Sequence, residues 1–300
     1  MTLLLQVSDP HFGTERPAVV DALVRLALAL KPQVLLLSGD ITQRATRVQF
    51  AAAQAFVQRL RVPHCVAVPG NHDIPLFHLP LRLLRPYARY SAAFGPELEA
   101  SLETEDLLLL AVNTTRWWRH EDGQLSAAQV ERVAQRLALA RPGQRRLVMV
   151  HQPLVVTQPE DEKNRLHGHA AALQAWGAAG VDLIVGGHIH LPFVLPLDGG
   201  GWAVQAGTAV SRRVRAGADN SVNLIHIDAT ATERAVVERW DHDPAQGAFV
   251  RREQHRLLAP VHDDGSRRAD GARISPVAPG AIGAGDGSAP SAASPTRHAR

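Results

Sequence analysis

Five short stretches of this chain carry residue types that bind hard cations. They are Asp9-Pro10-His11, Gly39-Asp40, Gly70-Asn71-His72-Asp73, His151 and Gly187-His188-Ile189-His190. Taken singly, each has a bland reading: an Asp-x-His or Gly-Asp is commonly a solvated turn, and a lone histidine is more often a hydrogen-bonded structural residue than a ligand. Together they supply carboxylate, imidazole and amide oxygen without thiolate, a donor set that suits manganese, iron, zinc or magnesium. The set is large enough for two ions. A carboxylate such as Asp40 has two oxygens and can bridge a pair. Asn71 adds a neutral oxygen, which limits the accumulated negative charge. Two ions ~3.5–4 Å apart can hold a hydroxide and orient a phosphate for in-line displacement.

Each stretch follows an apolar run. Leu3–Val7, Val34–Leu37, Cys65–Val68, Leu147–Val150 and Leu183–Val185 read as buried strands, and amphipathic segments separate them. Pro17 opens one helix, which runs through Ala29. A second covers Arg47 to Leu60, and Ser126-Ala127-Ala128-Gln129 is a capping box that opens another. Leu79–Ala100 reads as one or two short helices, Leu107–Val112 as a further strand and Ala170–Ala179 as a helix. Alternating strands and helices imply a parallel sheet covered on its faces, and such sheets carry function outside the carboxyl ends of their strands. Beyond His190 the runs Phe193–Leu197, Trp202–Ala206, Val222–Ile227 and Val236–Trp240 are separated by Gly and Asp turns, which predicts an antiparallel region.

Composition narrows the classes. Of 300 residues, 45% are hydrophobic and 20% charged, ordinary for a globular protein. No apolar run approaches the ~20 residues of a membrane-spanning helix, and the N-terminus lacks the pattern of a secretory leader, so a cytoplasmic protein is expected. The single cysteine, Cys65, excludes an intrachain disulfide and a cysteine zinc cluster, and its apolar surroundings predict a small core residue. The net charge of +3 is spread among interleaved acids, so no nucleic-acid footprint is expected despite a pI of 9.6. From about Pro260 the chain is Ala, Gly, Pro, Ser and Arg without aromatic residues. Residues 1–258 are therefore expected to form the catalytic domain and 259–300 a disordered tail.

The ordered set Asp9-x-His11, Gly39-Asp40, Gly70-Asn71-His72-Asp73, His151 and Gly187-His188-x-His190 resembles the calcineurin-like metallophosphoesterase superfamily, and within it the bacterial class III cyclic-nucleotide phosphodiesterases. The resemblance covers roughly residues 1 to 245. It implies an α/β fold, a four-layer sandwich of two mixed β-sheets flanked by helices. It implies two divalent ions, the first on Asp9, His11 and His190 and the second on Asn71, His151 and His188, with Asp40 bridging. A hydroxide held between the ions would attack phosphorus. His72 would stabilise or protonate the leaving oxygen, a task imidazole suits near neutral pH. Asp73 is expected to orient His72.

The chain departs from neighbouring branches at several positions. Gln43 stands where many members carry Asp, and Gln43-Arg44-Ala45 replaces the Arg-Gly pair of the protein serine/threonine phosphatases. His72 stands where the lipid-A-pathway pyrophosphatases usually have Arg. Gln152 replaces a second histidine, which leaves His151 as the ligand there. The expected activity is hydrolysis of small phosphodiesters, cyclic or other small nucleotides foremost. A DNA exonuclease-like enzyme and a non-catalytic metal-binding scaffold are the alternatives, and a homodimer is compatible with the resemblance. Arg44, Asn113, Arg116 and Trp117 are candidates for substrate contact, and Trp117 could stack on a base, although packing is expected for at least one of Trp117 and Trp118. Arg212, Arg213 and Arg215 form a basic cluster that is either a solvated strand edge or a substrate-side patch.

Overall fold

The computed structural model describes residues 1–228 and 232–258. The expected tail, 259–300, lies outside the described residues. In chain order the elements are β1 (Thr2–Val7), α1 (Pro17–Leu30), β2 (Val34–Ser38), α2 (Arg47–Leu60), β3 (His64–Val68), α3 (Leu79–Leu84), α4 (Ala88–Phe94), β4 (Ser101–Glu103) and β5 (Leu107–Ala111). There follow α5 (Ala127–Ala138), β6 (Arg145–Met149), α6 (His169–Ala178), β7 (Leu183–Gly186), β8 (Phe193–Pro196), β9 (Trp202–Gln205), β10 (Ser221–Ile227), β11 (Glu233–Asp243) and β12 (Ala248–Leu258).

Two six-stranded mixed sheets result, ordered β12-β11-β10-β1-β2-β3 and β4-β5-β6-β7-β9-β8. Their layering follows from the two-residue period of a strand. In β2, Val34 and Leu36 face the other sheet, while Leu35 and Leu37 face the helices. In β5, Leu107 and Leu109 point between the sheets, and Leu108 and Leu110 point outward. The outer apolar residues of the first sheet bury Phe50, Phe56 and Leu23 of α1 and α2, and those of the second bury Val130, Val133 and Trp176 of α5 and α6. The architecture is thus the four-layer α/β sandwich, with one core between the sheets and one under each helical layer. Among the described residues, no helix is long and apolar enough to cross a membrane.

Two expectations need correction, and one strand has no counterpart among those expected. The segment after His190 is not purely antiparallel, because β9 pairs parallel with β7 while β8 pairs antiparallel with β9. In strand β12 the exposed Arg251, Arg252, Glu253 and Gln254 separate the buried Phe249 and Leu257, so no continuous apolar run announces it. It is held by pairing with β11, with two register shifts, and by Phe249 and Leu257 in the cores, while its exposed charges protect a sheet edge. Cys65 is exposed on edge strand β3 rather than packed in the core.

The parallel strands position the site. β1, β2 and β3 run parallel in the first sheet, and β6 and β7 run parallel in the second. Each carboxyl end is followed by one of the polar stretches, and these meet at one rim, where His151 and His188 of the second sheet converge with Asp40 of the first.

Candidate metal centre

The loops after β1 and β2 are zipped together by backbone bonds. Asp9 N–H donates to Gly39 O at 3.2 Å and His11 N–H to Asp40 O at 3.0 Å. The second sheet closes the rim from the other side, where Gly187 N–H donates to His151 O at 2.9 Å. Gly39 is required by two facts. Its φ is +92°, and a β-carbon there would come within 2.3 Å of His151 Nδ1. At Gly187 a β-carbon would lie 1.8 Å from Ser8 Oγ and 2.4 Å from Asp9 Oδ2.

Asp9, His11, Asp40, His188 and His190 all adopt positive φ, from 42° to 74°. L-residues rarely enter this region, each instance costing about 1–3 kcal/mol, and such strain concentrates at functional sites. Five strained residues on three separate loops place their side chains on one point.

Two groups of donor atoms form there. In the first, the ligand atoms of Asp9, His11, Asp40 and His190 lie within 4.8 Å of one another. His11 Nε2 and His190 Nε2 face each other at 3.2 Å, with Asp9 Oδ1 3.3 Å from the latter and Asp40 Oδ2 3.7 Å from the former. In the second, Asp40, His151 and His188 converge within the same span. Asp40 Oδ1 and Asn71 Oδ1 each lie 3.3 Å from His151 Nε2. Asp40 therefore sends one oxygen to each group, and Asn71 completes the second.

The hydrogen bonds around these atoms fix their orientation. Asp9 Oδ2 accepts from Ser8 Oγ at 2.6 Å and from His188 N–H at 2.9 Å, which turns Oδ1 toward the first group. His151 Nδ1–H donates to Ser38 O at 2.9 Å, so Nε2 faces the second group. Anchoring one ring nitrogen in this way selects the tautomer that can ligate a metal. Asp9 Oδ1, His11 Nδ1 and His188 Nδ1 are buried with no hydrogen-bond partner among the described residues.

The electrostatics agree. Burial alone would raise the Asp9 carboxyl, but His190 and His151 hold it down at about 2. Burial would raise Asp40 too, and His151 and His72 bring it well below the ordinary carboxylate range. Burial pushes His11 and His188 down to about 3, so both are neutral near pH 7 and free to ligate. Burial also opposes charge on His151, yet Asp40 overrides it and raises that imidazole to about 9. Ionised acids, the neutral imidazoles of His11 and His188 and an orphaned carboxylate oxygen fit two divalent cations bridged by Asp40, with His151 giving up its proton to ligate.

His72 stands beside the first group, its ring centroid 4.9 Å from that of His11. Its backbone N–H donates to Asp40 Oδ1 at 2.8 Å, and its Nδ1–H donates to Gln43 O at 3.0 Å. The expectation that Asp73 orients it is corrected here. Asp73 faces away, its carboxylate accepting from Ile41 N–H, Thr42 N–H, Thr42 Oγ1 and Gly70 N–H at 2.8–3.0 Å. Asp73 ties the β2 loop to the β3 loop, and the Gln43 carbonyl orients His72.

The candidate substrate residues separate. Asn113 is buried, and its Oδ1 accepts from Thr115 N–H and Oγ1 at 3.0 and 2.7 Å. Arg116 donates to the carbonyls of Asn113 and Thr115 and to Gln129. Both build the loop after β5, which uses Asn113 Oδ1 and the Arg116 Nη1 and Nη2 donors. Arg44 is exposed, with its guanidinium 5.5 Å above the Phe77 ring. Trp117 and Trp118 are both exposed and meet edge to face at 5.5 Å, so neither is a core residue. Sequence reasoning missed Ser38, Gln43 and Ser8 as orienting groups, since a backbone carbonyl or a lone serine carries no spacing signal.

The model of the calcineurin-like phosphoesterase family matches residues 2–192. Among solved structures, the fold is similar to a dimetal phosphatase from Danio rerio, with a TM-score of 0.60 and 13% identity over 86% of this chain and 98% of that one. A purple acid phosphatase from yellow lupin (Lupinus luteus) seeds aligns with a TM-score of 0.58 and 11% identity, over 86% of this chain and 53% of that one. GAP50 from Plasmodium, described as an anchor in the inner membrane complex, aligns with a TM-score of 0.55 and 12% identity over 86% and 89%. At these identities the likeness is one of fold alone. No curated protein matches the sequence.

Proposed function

We propose, from the premise that this chain belongs to the calcineurin-like phosphoesterase family, that it hydrolyses small phosphodiesters, cyclic or other small nucleotides foremost, with two divalent ions bound. The observation that carries this reading is the division of Asp40 between two convergent donor groups, 3.7 Å from His11 Nε2 and 3.3 Å from His151 Nε2. Asp9, His11, Asp40 and His190 would hold one ion, and Asp40, Asn71, His151 and His188 the other. Ions there supply Lewis acidity and neutralise phosphoryl charge.

The chain's own residues supply orientation and a proton. His72 keeps Nδ1–H on the Gln43 carbonyl, so a second proton taken up by the ring resides on Nε2. An Nε2 proton on His72, beside the first donor group, suits protonation of a leaving alkoxide. The exposed Trp117–Trp118 pair supports a nucleotide substrate. It sits on the loop after β5, which also carries Thr114, and Thr114 bonds Gln152 next to His151. The intact ligand set and the placement of His72 favour an enzyme over a scaffold.

The test is a substrate panel on metal-reconstituted protein: cyclic nucleotides, bis(p-nitrophenyl) phosphate, p-nitrophenyl phosphate and single-stranded DNA. Turnover of the two diester classes, with His72→Ala retaining its metal and losing most of kcat, is expected. No diester turnover with any of manganese, iron, zinc or magnesium overturns the reading, and cleavage of DNA alone replaces it with a nuclease.

A further inference from the structure

Arg213 lies on the loop between β9 and β10, 141 residues from His72 in sequence, and reaches it in space. Its Nη1 donates to His72 Nε2 at 3.0 Å and to Gln43 Oε1 at 3.2 Å. The backbone beneath is fixed. Arg213 N–H donates to Ser211 Oγ at 3.2 Å, Thr208 Oγ1 donates to Arg213 O at 2.9 Å, and Asn220 Nδ2 donates to Ser211 O at 2.8 Å. The side chain is thus aimed at the site by a built turn.

Both acceptors are neutral. Among the described residues the Arg213 guanidinium forms no ion pair, whereas Arg215 on the same loop is bonded to Asp161 and Glu160. A half-buried guanidinium without a carboxylate is costly, and an incoming anion offsets that cost through charge-assisted hydrogen bonds. The fork geometry of Arg matches phosphate oxygens. Gln43 is part of the device. An acid at that position would pair with the cation and spend it, and the amide leaves the charge available.

We propose that Arg213 is a phosphate anchor of this site. It rests on His72 Nε2 in the free protein and transfers to a non-bridging phosphate oxygen when substrate binds, which frees Nε2 to face the leaving group. The inference rests on the phosphoester reading of the site and adds a residue that none of the metal-ligand stretches contains.

The experiment is calorimetric titration of inorganic phosphate into the manganese-loaded wild type and the Arg213→Ala, Arg213→Lys and Gln43→Glu variants, with metal content measured for each. KM and kcat for bis(p-nitrophenyl) phosphate are read alongside. Loss of one charge-assisted hydrogen bond predicts phosphate binding about tenfold to a hundredfold weaker in Arg213→Ala, with KM rising by a similar factor and metal content unchanged. Arg213→Lys should recover part of the loss. Gln43→Glu should reproduce it while keeping Arg213, and it carries the test alone if Arg213→Ala fails to fold. A purely structural role would lower metal content or stability and leave phosphate affinity per loaded site unchanged. Unaltered phosphate affinity and KM in Arg213→Ala and Gln43→Glu overturn the anchor. Phosphate binding needs no turnover, so an inactive wild type that still binds phosphate through Arg213 would defeat the diesterase reading and leave the anchor standing.

Discussion

The imidazole of His151, from the second sheet, donates its Nδ1–H to the main-chain carbonyl of Ser38, at the end of a strand of the first sheet, at 2.9 Å. The bond joins the two sheets at the floor of the site and points Nε2 at Asp40 and Asn71. Gly39 makes it possible, since a β-carbon there would strike the His151 ring. Gly39→Ala should therefore displace the ring while most of the fold survives. The expected outcome is a fall from two ions per chain to about one and a loss of activity of at least about a hundredfold. Elemental analysis beside steady-state rates checks this, and two tightly held ions in the variant would speak against it.

Asp73 accepts four hydrogen bonds and touches no reacting group. Asp73→Asn turns one acceptor oxygen into a donor that faces backbone N–H groups. Losing about two buried bonds predicts destabilisation of about 2–4 kcal/mol in the metal-free protein, read from urea unfolding. Metal affinity should drop because the β2 and β3 loops are no longer tied, while kcat at saturating metal stays within about tenfold of wild type. A kcat loss that excess metal does not restore would return Asp73 to a direct role.

Metal binding should release protons unevenly. In the metal-free protein Asp40 raises His151 to about 9, so this ring is charged at neutral pH and must lose its proton to ligate. His11 and His188, pushed down by burial to about 3, have none to lose. Between pH 7 and 8.5 the affinity of the half-site containing His151 should rise about tenfold per pH unit, and that of the half-site containing His11 should stay flat. Manganese titrations in buffers of different ionisation enthalpy resolve the two. Equal proton release from both, or none, would contradict the assignment.

Arg116 illustrates the opposite case. Its Nη1 and Nη2 donate to the carbonyls of Asn113 and Thr115 and to Gln129. Arg116→Ala should cost about 1–3 kcal/mol of stability by leaving buried acceptors unpaired, with KM changed less than about threefold. A large KM effect at unchanged stability would make it a substrate residue after all.

The contrast between Arg116 and Arg213 shows what the sequence could and could not reveal. The metal-ligand candidates were legible because each follows an apolar run, and a buried parallel strand delivers whatever follows it to one rim. The sandwich was legible through the same runs and their intervening helices. Strand β12 was not, because its buried anchors Phe249 and Leu257 are separated by a run of exposed charged and polar residues. The arginines were not either. Whether a guanidinium folds back on its own loop or crosses to a histidine 141 residues away depends on tertiary contacts that leave no periodic trace. Asp73 misled for a related reason, since adjacency in the chain to His72 placed the two side chains on opposite sides of a tight turn.

The division of Asp40 between two ions is most directly tested by anomalous diffraction from crystals grown with manganese, recorded at the metal edge. Two anomalous peaks per chain, ~3.5–4 Å apart, with an Asp40 oxygen on each, are expected, falling to at most one peak in Asp40→Ala. A single peak in the wild type, or two separated by more than about 6 Å, beyond what one carboxylate can span, would contradict it.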